Sequence, residues 1–284
     1  MTLVYAHRGA SAQFAEHTRA AYLQAIADGA DGVECDVHLT ADQQVVLLHD
    51  ATLDRTSDGT GAVSEQTLAE LRELDFSSWK GADIPDEFGS RSQQFLTLDE
   101  LLEILLAAGR PIGLAIEFKH PDPFGNRLEE AALEVLLARG WLPQSSTLGN
   151  LTVSFMSFDP DSLKYLLATV PGKHLCQLVA AVDVEEIRKE LGFGPLAAAG
   201  AAAAMRIAVV EAERMLDDGE VDLAGPGVAY LRTQQHRIKQ WQEAGRRFRV
   251  WTVDEPEDLE FCVAAGVQEI TTNQPAAILA LLGR

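Results

Sequence analysis

The chain has 284 residues, 47% of them hydrophobic, and its 43 acidic residues outnumber 23 basic ones to leave a formal net charge of −20. The apolar content suffices for a sizeable core and excludes a disordered chain, while the charge excludes nucleic acid and anionic membranes as partners, since both need a basic surface. No basic-then-apolar leader opens the chain and no apolar run reaches the ~18 residues of a membrane span. A soluble, cytoplasmic protein without stable membrane insertion, monomeric or homodimeric, is expected.

In chain order, "LVYAH" predicts a strand, residues from Glu16 to Asp28 a helix ending before Gly29, and "GVECDVHL" and "QVVLLH" two further strands. From Ala51 to Arg110 the alternation breaks: a turn-rich "SDGTG", a helical "SEQTLAELREL", a polar "SSWKGADIPDEFGSRSQQF" and the amphipathic "LTLDELLEILLAAG" read as an excursion on a rim. Strands then resume at "IGLAIEFK", "LTVSFMS", "KHLCQLV", "VDLAGPG", "RFRVWTV" and "VQEITTN", with helical segments such as "RLEEAALEVLLARG", "DPDSLKYLLATV" and "TQQHRIKQWQEAGR" between them. The alanine-rich stretch over 192–216 is expected to be helical in part. Strands alternating with helices imply βαβ units and a parallel sheet, and this many in one chain favour a closed (β/α)8 TIM barrel over an open sheet. A single domain over residues 1–284 is expected. Cys35, Cys176 and Cys262 are widely spaced and odd in number, which fits buried thiols and neither a disulfide framework nor a thiolate zinc site.

Active residues of such barrels stand at the C-terminal ends of strands. Four strand ends here carry ionisable groups: His7 and Arg8; Glu34 and Asp36; His49 and Asp50; Glu117 and Lys119. Residues two apart on a strand share a face, so Glu34 pairs with Asp36, and Val33, Cys35 and Val37 turn to the helices. Three carboxylates converging on one mouth repel unless neutralised, either by a hard divalent cation with oxygen ligands or by an internal ion-pair network with Lys119 and Arg8. Two histidines flanking such a site suit a general acid and a general base. His38 shares the parity of Glu34 and Asp36 and ends near the rim; His17, His120, His174 and His236 are read as structural or surface residues.

The segments "AHRGASAQFAEHTRAA", "GADGVECDVHLTADQQVVLLHDATLDRTSDGTG", "FLTLDELL", "IEFK" and "VWTVDEPEDLEFCVAAGVQEITTNQPAAI" together resemble the glycerophosphodiester phosphodiesterase family, in family order from Ala6 to about Ile278. The resemblance implies a (β/α)8 barrel with a small insertion after the third strand, at about residues 51–110. It implies His7 and His49 as the catalytic pair, Glu34, Asp36 and Glu117 as ligands of Mg²⁺ or Ca²⁺, Arg8 and Lys119 on the phosphate, Glu16 near the site, and Trp251 lining the pocket. The implied reaction is hydrolysis of a small-molecule glycerophosphodiester to glycerol 3-phosphate and an alcohol, with the glycerol 2-hydroxyl as first nucleophile. A lysophospholipase D-like enzyme, with Phe76, Trp79 and Phe88 as lipid contacts, is the alternative; a non-catalytic phosphodiester-binding protein is a third. The family usually reads P-E-N-T where this chain has Ala15-Glu16-His17-Thr18, and T-D-x-P where it has Thr272-Asn273-Gln274-Pro275.

Overall fold

The computed structural model describes residues 1–183 and 195–284. Among them, eight parallel strands close into a barrel: β1 (Leu3–Ala6), β2 (Gly32–Leu39), β4 (Ile112–Phe118), β6 (Leu151–Ser157), β7 (Leu175–Val179), β8 (Leu223–Pro226), β9 (Arg247–Val250) and β10 (Glu269–Thr272). Each pairs in parallel with the next, and β10 closes the ring on β1 through Tyr5↔Thr271, while the two-residue β5 (Thr147–Leu148) adds antiparallel to the start of β6 outside the ring. Helices α1 (Arg19–Ala27), α4 (Arg127–Ala138) and α5 (Pro160–Leu166) follow β1, β4 and β6, and α6 (Pro195–Asp218) covers the alanine-rich stretch from residue 195 on, residues 192–194 lying outside the described part. Helices α7 (Val228–Thr233), α8 (Gln235–Glu243), α9 (Pro256–Ala264) and α10 (Pro275–Leu281) complete the outer layer. The main core lies between strands and helices: Val33, Cys35 and Val37 pack there with Tyr22, Leu101 and Leu128, as the strand parity requires. All three cysteines are buried and free.

Two features differ from the sequence-based expectation. The strand β3 (Val45–Leu47), expected as a stave, pairs antiparallel with the far end of β2 (Val37↔Leu47, Leu39↔Val45). The turn at Thr40–Gln44, with Gln43 at φ 63°, reverses the chain in a few residues, far short of the dozen or more a parallel crossover needs. The excursion therefore follows the third strand in the chain but the second stave of the barrel. Helix α1 begins at Arg19 rather than Glu16, because His17 sits at φ 61° and Thr18 takes the N-cap, its hydroxyl accepting from the Ala21 amide.

The excursion has a small core of its own, in which Val46, Leu48, Leu53, Val63, Leu71, Phe76 and Phe95 cluster and the last two rings stack at 4.3 Å. It carries the short helix α2 (Leu68–Leu71) and returns through α3 (Leu98–Leu106), each opened by a capping box, Thr67 with Glu70 and Thr97 with Glu100. Of the three aromatics considered for lipid contact, Phe76 is buried here and Phe88 packs edge-on against Phe14, leaving Trp79 exposed.

Inside the barrel the Tyr5 ring fills the space left by two glycines: a Cβ on Gly32 would lie 2.4 Å from Cε1, and one on Gly113 2.3 Å from Oη. The Arg249 guanidinium stacks on the same ring, with its Cζ 4.3 Å from the centroid, so the ring cannot swing away. Gly32→Ala is therefore expected to destabilise by ~1–3 kcal/mol. Gly200→Ala, on α6 with nothing near the added methyl, should be neutral or stabilising. Urea unfolding of both variants checks the contrast; equal effects would contradict it.

Candidate active site

The carboxylates meet because of register. Glu34 and Asp36 share the inner face of β2, and Asp36 lies beside Glu117 of β4 in the pairing Asp36↔Glu117. One oxygen from each of the three lies within 4.8 Å of the others, and all three residues are buried. Arg8 and Lys119 reach into the cluster. The Arg8 Nε stands 3.1 Å from Asp36 Oδ2 and its Nη1 donates to Glu16 Oε1 at 2.9 Å, while Lys119 Nζ lies 2.9 Å from Asp36 Oδ1 and also contacts Glu117.

The chain turns sharply to bring Arg8 there. Arg8 itself has φ 59°, its backbone amide donates to Glu34 Oε2 at 3.0 Å, and Gly9 follows at φ 82°. A Cβ on Gly9 would lie 2.6 Å from the Ala21 backbone, so close approach to α1 as well as the left-handed backbone demands glycine.

Two cations against three carboxylates leave the cluster unbalanced. Burial opposes ionisation of Asp36, yet Lys119, Arg8 and His17 hold it well below the ordinary carboxylate range. Glu34 is pushed well above that range by burial and by repulsion from Asp36 and Glu117. Glu117 is raised by burial and Asp36, with Lys119 opposing. The Glu34 Oε1 atom is buried with no hydrogen-bond partner. A buried acceptor left bare costs roughly 1–3 kcal/mol, and the donor set, all hard oxygen, is that of a Mg²⁺ or Ca²⁺ site.

The two histidines stand in different surroundings. His7 Nδ1 donates to Asn273 Oδ1 at 2.8 Å, and Asn273 is held by Asp254, which accepts from its side-chain Nδ2 at 2.5 Å and its backbone amide at 2.8 Å. Burial and the nearby Arg8 push His7 down to about 3, so the ring is neutral. His49 is more open; its Nδ1 donates to Asp50 Oδ1 at 2.7 Å. Arg55 locks that arrangement, donating from Nε to Asp50 at 2.7 Å and from both Nη atoms to Glu16 at 2.8–2.9 Å. His38, buried with its Nε2 donating to the His49 carbonyl at 3.2 Å, supports the backbone from beneath and is pushed down to about 4, chiefly by burial. Trp251, at the end of β9, donates from Nε1 to the Gly225 carbonyl and meets the half-exposed Phe158 edge to face at 5.4 Å.

Arg8, Glu34, Asp36, Glu117 and Lys119 are thus in direct contact, His7 and His49 flank them, and Trp251 stands elsewhere on the mouth through contacts of its own. Sequence reasoning missed His17, which was read as structural or surface. It is buried, with Nε2 donating to Asp36 Oδ2 at 2.9 Å and Nδ1 bonded to the Tyr22 hydroxyl. The available signal was its place beside Glu16 in a motif where an amide is usual. Arg55, Asp254 and Phe158 were also missed, and no spacing marked them.

His7 and His38, at about 3 and about 4, both lie below the ordinary value of 6.5. Below pH 6.5 the unfolded chain protonates each ring and the folded chain does not, so stability falls as pH drops toward 4 and is insensitive to these rings above 6.5. The slope is ~1.4 kcal/mol per pH unit for each ring. Urea unfolding in EDTA between pH 7.5 and 5 should show it, with a smaller slope in His38→Gln; an unchanged slope in that variant would contradict the assignment.

Residues 7–277 match the model of the "Glycerophosphoryl diester phosphodiesterase family". The chain is 36% identical over 280 residues to the "Probable glycerophosphodiester phosphodiesterase 1" of Mycobacterium tuberculosis, covering 98% of this chain and 92% of that one. It is 29% identical to the glycerophosphodiester phosphodiesterase of Bacillus subtilis, over 96% of this chain and 84% of that one. An Oleispira antarctica phosphodiesterase, solved with its product sn-glycerol-3-phosphate, superposes with a TM-score of 0.75 at 25% identity, over 100% of this chain and 98% of that one. With the barrel, the acidic cluster and these matches over nearly its whole length, the chain belongs to the glycerophosphoryl diester phosphodiesterase family and is a phosphodiesterase.

Proposed function

We propose that this chain hydrolyses glycerophosphodiesters, such as glycerophosphocholine or glycerophosphoethanolamine, to glycerol 3-phosphate and an alcohol, with a divalent cation bound by Glu34, Asp36 and Glu117. The observation that carries this reading is the bare, buried Glu34 Oε1 among three converging carboxylates. When bound there, Mg²⁺ or Ca²⁺ would supply Lewis-acid polarisation of the phosphoryl group. Arg8 and Lys119, already at the cluster, are the cations that would take the remaining phosphoryl oxygens.

The surroundings of the histidines divide their work. Asp254 turns the Asn273 amide so that its oxygen faces His7, which places the His7 proton on Nδ1 and leaves the Nε2 lone pair to accept a proton. His7 is therefore the base toward the attacking hydroxyl, the glycerol 2-hydroxyl in the first step. His49 backs onto a carboxylate, which can neutralise a ring carrying two protons as an amide oxygen cannot, so Nε2 of His49 delivers the proton to the leaving alcohol. Water opening the resulting cyclic phosphate uses the same two groups with roles exchanged. Trp251 and Phe158 form the apolar wall on which the alcohol portion rests.

Release of glycerol 3-phosphate from glycerophosphocholine tests the reading. Activity should need Mg²⁺ or Ca²⁺, stop in EDTA and fall by roughly 10²–10⁴ in His49→Ala; metal-independent turnover would sink it. Asp254→Asn should turn the Asn273 amide over and present its NH₂ to His7, giving the wrong tautomer. A fall in kcat of roughly 10² or more with little change in KM is expected, and an unaltered kcat would overturn the division of roles. Lysophosphatidylcholine run in parallel checks the lipid alternative, for which Trp79, together with Met205, Ile207 and Val210 on α6, supplies exposed apolar surface.

A further inference from the structure

The barrel has a second end. Opposite the acidic cluster, at the N-terminal ends of the strands, a cavity of about 350 Å³ is lined by residues that include Lys173, His174, Arg247, Arg249 and Glu269. Three cations thus face one carboxylate in a chain whose net charge is −20. Arg249 and Glu269 form a complete pair. Arg249 is buried, donates from Nε to Glu269 Oε2 at 2.8 Å and from Nη2 to the same oxygen at 2.5 Å, and gives Nη1 to Ser154 Oγ at 3.0 Å. This pair, with Tyr5 stacked on it, is the floor of the barrel.

Arg247 and Lys173 are surplus to that floor. Arg247 meets Glu269 Oε1 at 3.3 Å and donates to the Lys173 carbonyl at 2.8 Å. The Lys173 ammonium has no acidic partner among the described residues, and the side chain of Asp222 is turned to Arg246 at 3.6 Å. His174 Nε2 is buried without a hydrogen-bond partner, while the ring is engaged by the Gln144 backbone. Uncompensated positive charge on a concave wall concentrates anions. A phosphate-type oxyanion fits this wall: its oxygens would accept from Lys173 and Arg247, with the His174 ring as their neighbour in the same hollow.

We propose that this hollow is a second ligand site, distinct from the catalytic mouth, which takes a phosphate-type oxyanion, free or as the head of a phosphomonoester, on Lys173 and Arg247, beside the His174 ring. The His174 ring signals in ¹H–¹⁵N NMR of the whole chain, assigned with His174→Gln, report on it directly. Inorganic phosphate and glycerol 3-phosphate are titrated separately at constant ionic strength. A saturating shift is expected, weakened about fivefold in Lys173→Ala, with turnover of glycerophosphocholine unchanged in that exposed variant. Saturation by inorganic phosphate alone identifies the free ion as ligand, and by glycerol 3-phosphate alone a phosphomonoester. No saturating shift with either, or the same curves in wild type and Lys173→Ala, overturns the proposal.

Discussion

Asp36 is the charge around which the mouth is assembled. It is buried on the inner face of β2, where an isolated carboxylate would not stay ionised, and it does so because Arg8, Lys119 and His17 converge on its two oxygens. Each partner comes from a different place in the chain. Arg8 needs the left-handed turn after β1, His17 the turn before α1, and Lys119 the end of β4. Fixing one anion therefore fixes the approach of three segments, and strand parity and register set Glu34 and Glu117 beside it, where the Arg8 amide and Lys119 also meet them.

Interiors of such barrels are packed in layers, and here the layers differ in chemistry. The floor is an ion pair closed by an aromatic ring, Arg249 and Glu269 on Tyr5. Above it lie apolar residues, among them Ala115, Met156, Cys176 and Leu178. The carboxylates come last, at the strand ends. The apolar layer keeps the upper and lower charges out of hydrogen-bonding contact, so each set pairs within its own level. Low dielectric between them also strengthens each local pairing.

Much of this was legible in the sequence. A period of two along "GVECDVHL" is enough to place Glu34 and Asp36 on one face, and alternation of strands with helices is enough for the barrel. The inference failed where geometry depends on partners remote in the chain. Nothing local distinguishes "QVVLLH" as a hairpin arm from a stave, since both are short apolar runs; the five-residue turn before it was the only clue. Arg55 gains its meaning from Glu16, 39 residues away, and Asp254 from Asn273, 19 residues away. His17 looked bland because a lone histidine carries no spacing pattern; its burial against Asp36 follows from a backbone turn that the sequence does not announce.

The hairpin formed by β2 and β3 has a consequence for how the molecule fails. His49 stands between β3 and the excursion; β3 and α3 contribute Val45, Leu47, Leu98 and Leu101 to the main core, while the stretch between them has a hydrophobic cluster of its own, and His7 belongs to the barrel. The separate part meets the barrel through polar contacts, Arg55 with Glu16 and the His38 bond to the His49 carbonyl, and through the edge contact of Phe88 with Phe14. Such bridges are worth less than a shared core. The part of the excursion between β3 and α3 can loosen while those two elements and the staves stay packed, so loss of turnover should precede loss of the barrel's circular dichroism as urea is raised. In this chain the working lifetime is set by a seam, and the barrel outlasts its own chemistry.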